Sequence, residues 1–318
     1  MNAAAPAPEK KSVSKLSIPH KHILSIENLS SEDINTILDL SEYYVVQNRR
    51  RSQTNALLKG LVLVNLFLEN STRTRLSFEM AAKRLGADVI NMTEEGSSIK
   101  KGESFIDTLK TLNAMRPDMF VIRHKDEGAA QKASEIIGCP VLNAGDGTRE
   151  HPTQALLDAL TLRRHFGRLE GLNVSILGDI LHSRVAHSNL QLFKKMGVNV
   201  KCVGPAELMP LSASGTQNVQ QGLTGADAIM VLRIQKERLQ KTLSFTEVQY
   251  FKTFGLTAER LAFANPDAVV LHPGPMNRDV EIDAGIADDP TRSLITTQVE
   301  MGVAVRMACL DLLTRSTR

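Results

Sequence analysis

The sequence predicts an α/β protein of two domains, each a parallel β-sheet flanked by helices. Three observations carry this expectation. Apolar runs of strand length alternate with segments of helical period, as in parallel strands covered on both faces. The alternation restarts near Gly167 to Gly171, after a long helix. And 318 residues suffice for two domains, each with its own core.

Composition narrows the function classes. Hydrophobic residues at 42% and charged residues at 23% are ordinary for a soluble globular protein. A formal charge of +3, with no long Lys/Arg block, argues against nucleic acid and fits a few concentrated cationic pockets. Cys139, Cys202 and Cys309 lie far apart, which suits a reducing compartment and argues against a disulfide frame or structural zinc. No apolar run has transmembrane length and no secretory segment follows Met1, so no membrane role is expected and cytoplasm is the default.

Residues 1 to about 20 are rich in Ala, Pro, Lys and Ser and are expected to form a disordered arm. Ser31 is expected to cap a helix that carries Ile34, Ile37, Leu38 and Val45 on one side. Leu61 to Leu68 reads as a buried strand. Arg75 to Leu85 reads as a helix with Leu76, Met80 and Leu85 on its apolar face, stopped by Gly86. Between them, Phe67 to Arg75 forms a strand-to-helix turn rich in hydroxyl and guanidinium groups. A helix N-terminus favours an anion, by ~0.3–1 kcal/mol at an exposed end. Tight phosphate binding therefore needs Arg73 or Arg75 as well, at ~1.5–3 kcal/mol per charge-assisted bond. A capped helix with solvated arginines is the alternative. The doubled arginine and the hydroxyls of Ser71, Thr72 and Thr74 weigh towards an anion site.

A short strand is expected at Asp88 to Asn91, then a polar loop over 93–104. Its Ser97 and Lys101 gain interest only if something anionic lies close by. A helix from Glu103 to Ala114 leads to the strand Met119 to Arg123. Ligands gather at the carboxyl ends of strands in open α/β sheets, which favours a ligand role for Arg123 over a surface salt bridge. After a helix (Ala129 to Ile137) and a strand at Val141, Asn143 to Glu150 reads as an irregular loop. It delivers His151-Pro152-Thr153-Gln154 to a helix running to about Phe166, with Pro152 suited to the first helical position. His151 either caps that helix or, kept neutral by the dipole, donates one hydrogen bond to a developing oxyanion.

The second domain begins with a strand at Asn173 to Leu177 and a turn, Gly178 to Arg184, opening a helix to Met196. Gly178-Asp179 is not GxGxxG, so dinucleotide binding has weak support. Strands follow at Val198 to Val203 and Ala228 to Leu232, and Arg233-Ile234-Gln235 leaves the end of the latter. The irregular, charged stretch Lys236 to Phe254 is long enough to act as a mobile lid. Ala268 to Leu271 runs into the rigid turn His272-Pro273-Gly274-Pro275, and Leu294 to Leu313 closes the chain as a long amphipathic helix.

Together the Ser71 to Arg75 turn, the His151-Pro152-Thr153-Gln154 helix start and the proline turn at 272–275 resemble the aspartate/ornithine carbamoyltransferase family, from about residue 22 to the C-terminus. The resemblance implies a carbamoyl-phosphate domain over 21–152, an acceptor domain over 153–292, and a C-terminal helix, 293–318, that packs back on the first domain. It implies a homotrimer with shared sites at subunit boundaries, and no metal or organic cofactor. Carried over by motif, Ser71, Thr72, Arg73 and Thr74 hold the phosphate. Thr74, Arg123 and His151 look like donors to the carbamoyl oxygen, while Gln154 and the Pro273 carbonyl fix the carbamoyl NH₂. Ser97 and Lys101 would reach the phosphate of a neighbouring subunit's site. Arg184, Arg233 and Gln235 look like ligands of the acceptor carboxylates, with Lys101 and Gly274 beside them.

The chemistry suits those residue types. As an amine attacks the carbonyl carbon, charge builds on the carbonyl oxygen and then on departing phosphate, and one aimed donor is worth ~2.7–4 kcal/mol. No serine or cysteine nucleophile is required, and a phosphate oxygen taking the proton is the family's implied solution. Ornithine-type members carry a Ser-Met-Gly loop and a His-Cys-Leu-Pro turn; neither occurs here. Arg233-Ile234-Gln235-Lys236-Glu237-Arg238 matches the aspartate-type pattern instead. Arg184 and Arg233 supply the two cationic anchors that a dicarboxylate needs. The expected reaction joins carbamoyl phosphate and L-aspartate into N-carbamoyl-L-aspartate and phosphate, early in pyrimidine synthesis. Three rivals are an ornithine-type transferase, a non-catalytic scaffold and a nicotinamide-dependent oxidoreductase, the last lacking its glycine fingerprint. The N-terminal arm and Gly274 resemble forms that associate with dihydroorotase, or the chain joins a regulatory chain.

Overall fold

A computed structural model of the protein describes residues 13–50, 56–210, 215–235 and 243–315. The expectations for residues 1–12 and for Lys236-Glu237-Arg238 lie outside these. The chain divides into two compact units, residues 1–160 with 300–318, and residues 161–299.

In the first unit, α1 (Ser31–Arg49) is capped by Ser30 rather than Ser31. The Ser30 hydroxyl accepts from the Asp33 N–H and the Asp33 carboxylate accepts from the Ser30 N–H, a reciprocal box that uses two otherwise unpaired donors. Ile34, Ile37, Leu38 and Val45 are all buried. The chain continues through β1 (Val62–Phe67), α2 (Thr72–Arg84), β2 (Asp88–Thr93), α3 (Phe105–Ala114), β3 (Met119–His124), α4 (Ala129–Ile136), β4 (Val141–Asp146) and α5 (Pro152–Phe166). All four strands are parallel, in the order β2-β1-β3-β4. Val64, Leu66, Phe120, Ile122, Leu109 and Ala133 pack as a core against them.

Further expectations for this unit are corrected. The inward face of α2 is Thr74, Ser77, Phe78, Ala81 and Ala82, whereas Leu76 and Met80 are exposed. Small residues at the right period let the helix approach the sheet, and size alone misled the reading. The segment after Asn143 is strand as far as Asp146, so the irregular loop begins later. The polar loop over 93–104 contains two single 3₁₀ turns, Glu94–Gly96 and Ser98–Lys101.

The second unit runs through β5 (Asn173–Leu177), α6 (Arg184–Lys195), β6 (Asn199–Val203), β7 (Gly215–Thr216), α7 (Val219–Leu223), β8 (Ala228–Val231), α8 (Glu247–Phe254), α9 (Ala258–Leu261), β9 (Val269–Leu271) and α10 (Ala284–Ala287). Its strands are parallel in the order β7-β6-β5-β8-β9. Leu177, Val203, Ile229, Val231, Val270 and Ile282 form its main core. The stretch expected to be irregular as far as Phe254 instead contains α8, boxed by Thr246 and Gln249. Its Tyr250 and Phe254 pack on Leu208 and Ile234 as a small second core.

The last helix, α11 (Ile295–Arg315), is not amphipathic over most of its length. From Met301 to Thr314 every residue except Val303 is buried. Tyr44 Oη donates to Asp311 Oδ2 at 2.8 Å, and Arg315 Nη1 donates to the Val13 and Leu16 carbonyls at 2.8 Å each. Residues 13–20 are therefore held, with Val13 and Ile18 buried, where an unstructured arm was expected. Among the described residues, no helix is long and apolar enough to cross a membrane.

Candidate active site

Each sheet reverses its winding once. From β1 the chain passes to β2 on one side and then to β3 on the other; from β5 it passes to β6 and then to β8. Such reversals open a crevice at the strands' carboxyl ends. The predicted site residues fall into two cradles at those ends, one in each unit.

In the first unit, Ser71 is the residue before α2 and its hydroxyl accepts from the Thr74 N–H at 3.4 Å. Thr72 and Arg73 are exposed on the first turn and Thr74 is buried. First-turn N–H groups lack helical acceptors, so this end is a donor array with a guanidinium beside it. Arg123 lies next to Phe67 in the β1–β3 register, and its carbonyl accepts from the Leu68 N–H at 2.9 Å. Its side chain is only 11% exposed. Nη2 pairs with Glu69 Oε1 at 3.0 Å and Nη1 donates to the Ala144 carbonyl at 3.2 Å. The guanidinium thus joins the ends of three adjacent strands, in an ion pair that is largely buried rather than on the surface. His124 follows on the opposite strand face. Burial, and then Lys125, lower its pKa, and its Nδ1 accepts from the Asp126 N–H at 2.9 Å.

Two buried carboxylates brace the loop that delivers His151. Asp146 accepts from Asn143 Nδ2, the Glu150 N–H and the Gly128 N–H at 3.0, 3.2 and 2.9 Å. Glu150 Oε2 accepts from the Ile26 N–H at 2.9 Å. His151 is buried, and its carbonyl accepts from the Gln154 N–H at 3.0 Å. Gln154 Nε2 donates to Asp158 Oδ1 at 2.9 Å. A carboxylate can only accept, so the Gln154 amide is fixed with Oε1 as its remaining acceptor. Ser97 and Lys101 lie on the segment after β2; the Ser97 hydroxyl donates to the Glu94 carbonyl at 2.9 Å and Lys101 is exposed.

In the second unit, Asp179 is fully buried and organises the crevice. Its Oδ1 accepts from the His182 N–H at 3.1 Å and contacts His182 Nδ1 at 2.9 Å; its Oδ2 accepts from the Gln235 N–H at 3.0 Å. That one carboxylate ties the turn after β5 to the segment after β8. Ser183 caps α6, which places Arg184, also buried, at its first position. Arg233 Nη2 donates to Gln235 Oε1 at 3.3 Å. After β9, His272 Nδ1 accepts from the Gly274 N–H at 2.9 Å, and its Nε2 faces Glu281 Oε1 at 3.3 Å. Gly274 takes φ +65°, a left-handed value that favours glycine, before a cis bond to Pro275.

Chemically, the first cradle gathers donors and cations suited to a phosphate beside a carbonyl oxygen. The second offers two guanidinium groups to a dicarboxylate. Sequence reasoning missed the bracing carboxylates Glu69, Asp146, Glu150, Asp158, Asp179 and Glu281. Asp158 was findable, one helical turn beyond Gln154. Glu281 was not, because only tertiary structure brings it to His272.

Two family models match the chain and meet between residues 164 and 170, the second extending to residue 313 and so into the segment that packs with the first unit. Residues 21–164 match the family model described as aspartate/ornithine carbamoyltransferase, carbamoyl-P binding domain. Residues 170–313 match the model described as its Asp/Orn binding domain. The aspartate carbamoyltransferase catalytic subunit of Rhodospirillum centenum is 56% identical over 305 residues, covering 94% of this chain and 96% of that one. Aspartate transcarbamoylase of Trypanosoma cruzi, solved in complex with carbamoyl phosphate and aspartate, is 31% identical, with a TM-score of 0.82 and coverage of 92% and 94%. The catalytic subunit of M. jannaschii aspartate transcarbamoylase is 34% identical, with a TM-score of 0.82 and coverage of 93% and 99%.

Proposed function

The chain belongs to the aspartate/ornithine carbamoyltransferase family, and from that premise we propose that it transfers the carbamoyl group of carbamoyl phosphate to L-aspartate. The products are N-carbamoyl-L-aspartate and phosphate, an early step of pyrimidine synthesis, which takes place in the cytoplasm. The observation that carries the reading is the first cradle, where the Ser71-capped helix start, Arg123 and the His151–Gln154 turn stand at the ends of β1, β3 and β4. The names of the relatives support the acceptor.

Ser71, Thr72, Arg73 and Thr74 take the phosphate. Thr74, Arg123 and His151 donate to the carbonyl oxygen, and the Gln154 Oε1 and Pro273 carbonyl accept from the carbamoyl NH₂. Arg184, Arg233 and Gln235, with Gly274 beside them, receive the aspartate carboxylates. The neutral amine forms a C–N bond to the carbonyl carbon, the C–O bond to phosphate breaks, and the departing phosphate takes the amine proton. Donors already directed at the oxygens need not reorganise as charge develops, so they favour the transition state over the ground state. Carbamoyl transfer by the purified chain, assayed with aspartate and ornithine separately, tests the assignment. Transfer to aspartate alone is expected; transfer to ornithine overturns the acceptor reading and leaves the phosphate turn standing.

Ser97 and Lys101 are assigned to a neighbouring subunit's site in a homotrimer, with Lys101 also reaching the aspartate there. The exposed position of Lys101 supports this. Mixing inactive Lys101→Ala and Arg184→Ala proteins should restore part of the activity; no recovery argues against shared sites. The relatives' description as a catalytic subunit supports a higher assembly, with dihydroorotase or a regulatory chain. A lone trimer-sized gel-filtration peak from a mixture with dihydroorotase counts against the first partner.

A further inference from the structure

Arg306, on α11, is a buried cation that the proposed reaction does not use. It is 4% exposed, and its Nε has no hydrogen-bond partner among the described residues. Nη1 donates to Ser77 Oγ at 2.6 Å, and the guanidinium carbon lies 4.9 Å from the centre of the Phe78 ring. Both partners are on α2, one turn beyond Thr74. Burial lowers the Arg306 pKa to about 10, opposed by the Cys309 thiol and the Asp158 carboxylate. Asp158 is on α5 and accepts from Gln154 Nε2 at 2.9 Å. Gly302 leaves the room required: a Cβ there would lie 2.8 Å from Arg306 Nη1 and 3.1 Å from Leu157 Cδ2.

Burying a guanidinium is costly, and well-packed apolar residues commonly serve stability as well or better. An arginine in this place calls for a role beyond packing. We propose that Arg306 is a positioning residue: it holds the helix that carries the phosphate turn through Ser77, beside the place where Gly302 of its own helix faces Leu157 of the helix that carries His151 and Gln154. The donors for the phosphate and the acceptor for the carbamoyl NH₂ are thereby kept in register across two helices. A displacement near 1 Å at such a site costs on the order of 10²-fold in rate. The inference rests on the assignment of Gln154 to the carbamoyl group.

The test compares Gln154→Ala, the double variant Asp158→Leu/Arg306→Met, and the three changes combined, with kcat and the KM for carbamoyl phosphate measured at saturating aspartate. The double variant removes both buried charges together, so a melting temperature close to wild type is expected. A positioning role predicts kcat lower by about 10- to 100-fold despite the intact fold, and a loss in the triple variant smaller than the product of the two separate losses. Should the double variant not fold, Arg306→Lys keeps the charge but loses the planar fork that reaches Ser77, and should slow turnover about 10-fold on the same grounds. Wild-type kcat in either folded variant, with Gln154→Ala slow, overturns the positioning role and leaves Gln154 assigned. Wild-type kcat in Gln154→Ala overturns that assignment, and the inference with it.

Discussion

Arg123→Met separates a catalytic arginine from a structural one. The residue is 9% exposed, and its guanidinium is paired with Glu69 at 3.0 Å and bonded to the Ala144 carbonyl at 3.2 Å, so it is held in place before substrate arrives. Losing one preorganised donor to a developing oxyanion costs ~2.7–4 kcal/mol, or about 10²–10³ in kcat. Methionine fills much of the same volume, and the Glu69 side chain is 24% exposed, so water can solvate it once its arginine is gone. The stability loss should then fall below the ~3–5 kcal/mol of a broken fully buried pair. Glu69→Gln is the control: it removes the ion pair, keeps the guanidinium and its bond to Ala144, and should cost less than about 10-fold. The assay is kcat at saturating carbamoyl phosphate and aspartate, with melting temperatures for both variants. A folded Arg123→Met protein with kcat near wild type, or equal losses in the two variants, would refute the donor role and return Arg123 to a structural ion pair.

Removing Arg233 should raise the KM for aspartate about 10- to 150-fold, the equivalent of one charge-assisted bond at ~1.5–3 kcal/mol; an unchanged KM moves the acceptor site elsewhere. Gly178 has φ +132°, and a Cβ there would lie 2.5 Å from the Leu232 carbonyl oxygen. Gly178→Ala should therefore destabilise the second unit by about 2–4 kcal/mol, and a wild-type melting curve would contradict that. Burial alone would raise the Asp33 carboxyl, but the Ser30 hydroxyl, His20 and the Ser30 N–H hold it below its ordinary 3.8. A depressed folded pKa gives stability that is present above 3.8 and lost as pH falls through the lower folded value. Asp33→Asn should thus lower the melting temperature at neutral pH, with the gap to wild type closing below pH 3.8; a gap that persists in acid points to packing instead.

Local signals with a single physical meaning were legible in the chain. Pro152 at a helix start and the apolar run before Gly178 yielded α5 and β5 with the bounds the structure has. The placement of Ser71 to Thr74, Arg123 and His151 at strand ends and helix starts was legible from the apolar runs and helical periods, whereas Gln154 entered as a candidate through the family resemblance. Signals that depend on partners were not. On α2, Leu76 and Met80 looked like the core because they are large, yet Ser77, Phe78 and the alanines face inward. α8 hid in a charged stretch because it buries chiefly Tyr250 and Phe254, one turn apart. The carboxylates that brace the site, Glu69 on Arg123 and Asp179 between β5 and β8, become visible only once strand order is known.

The most direct measurement quantifies N-carbamoyl-L-aspartate and phosphate together in one reaction of the purified chain, with Arg73→Ala alongside. Wild-type protein should yield the two products in equal amounts, and both should fall together by about 10²-fold or more in the folded variant. Phosphate released without N-carbamoyl-L-aspartate, or an Arg73→Ala protein as fast as wild type, would contradict carbamoyl transfer from a phosphate held at the start of α2.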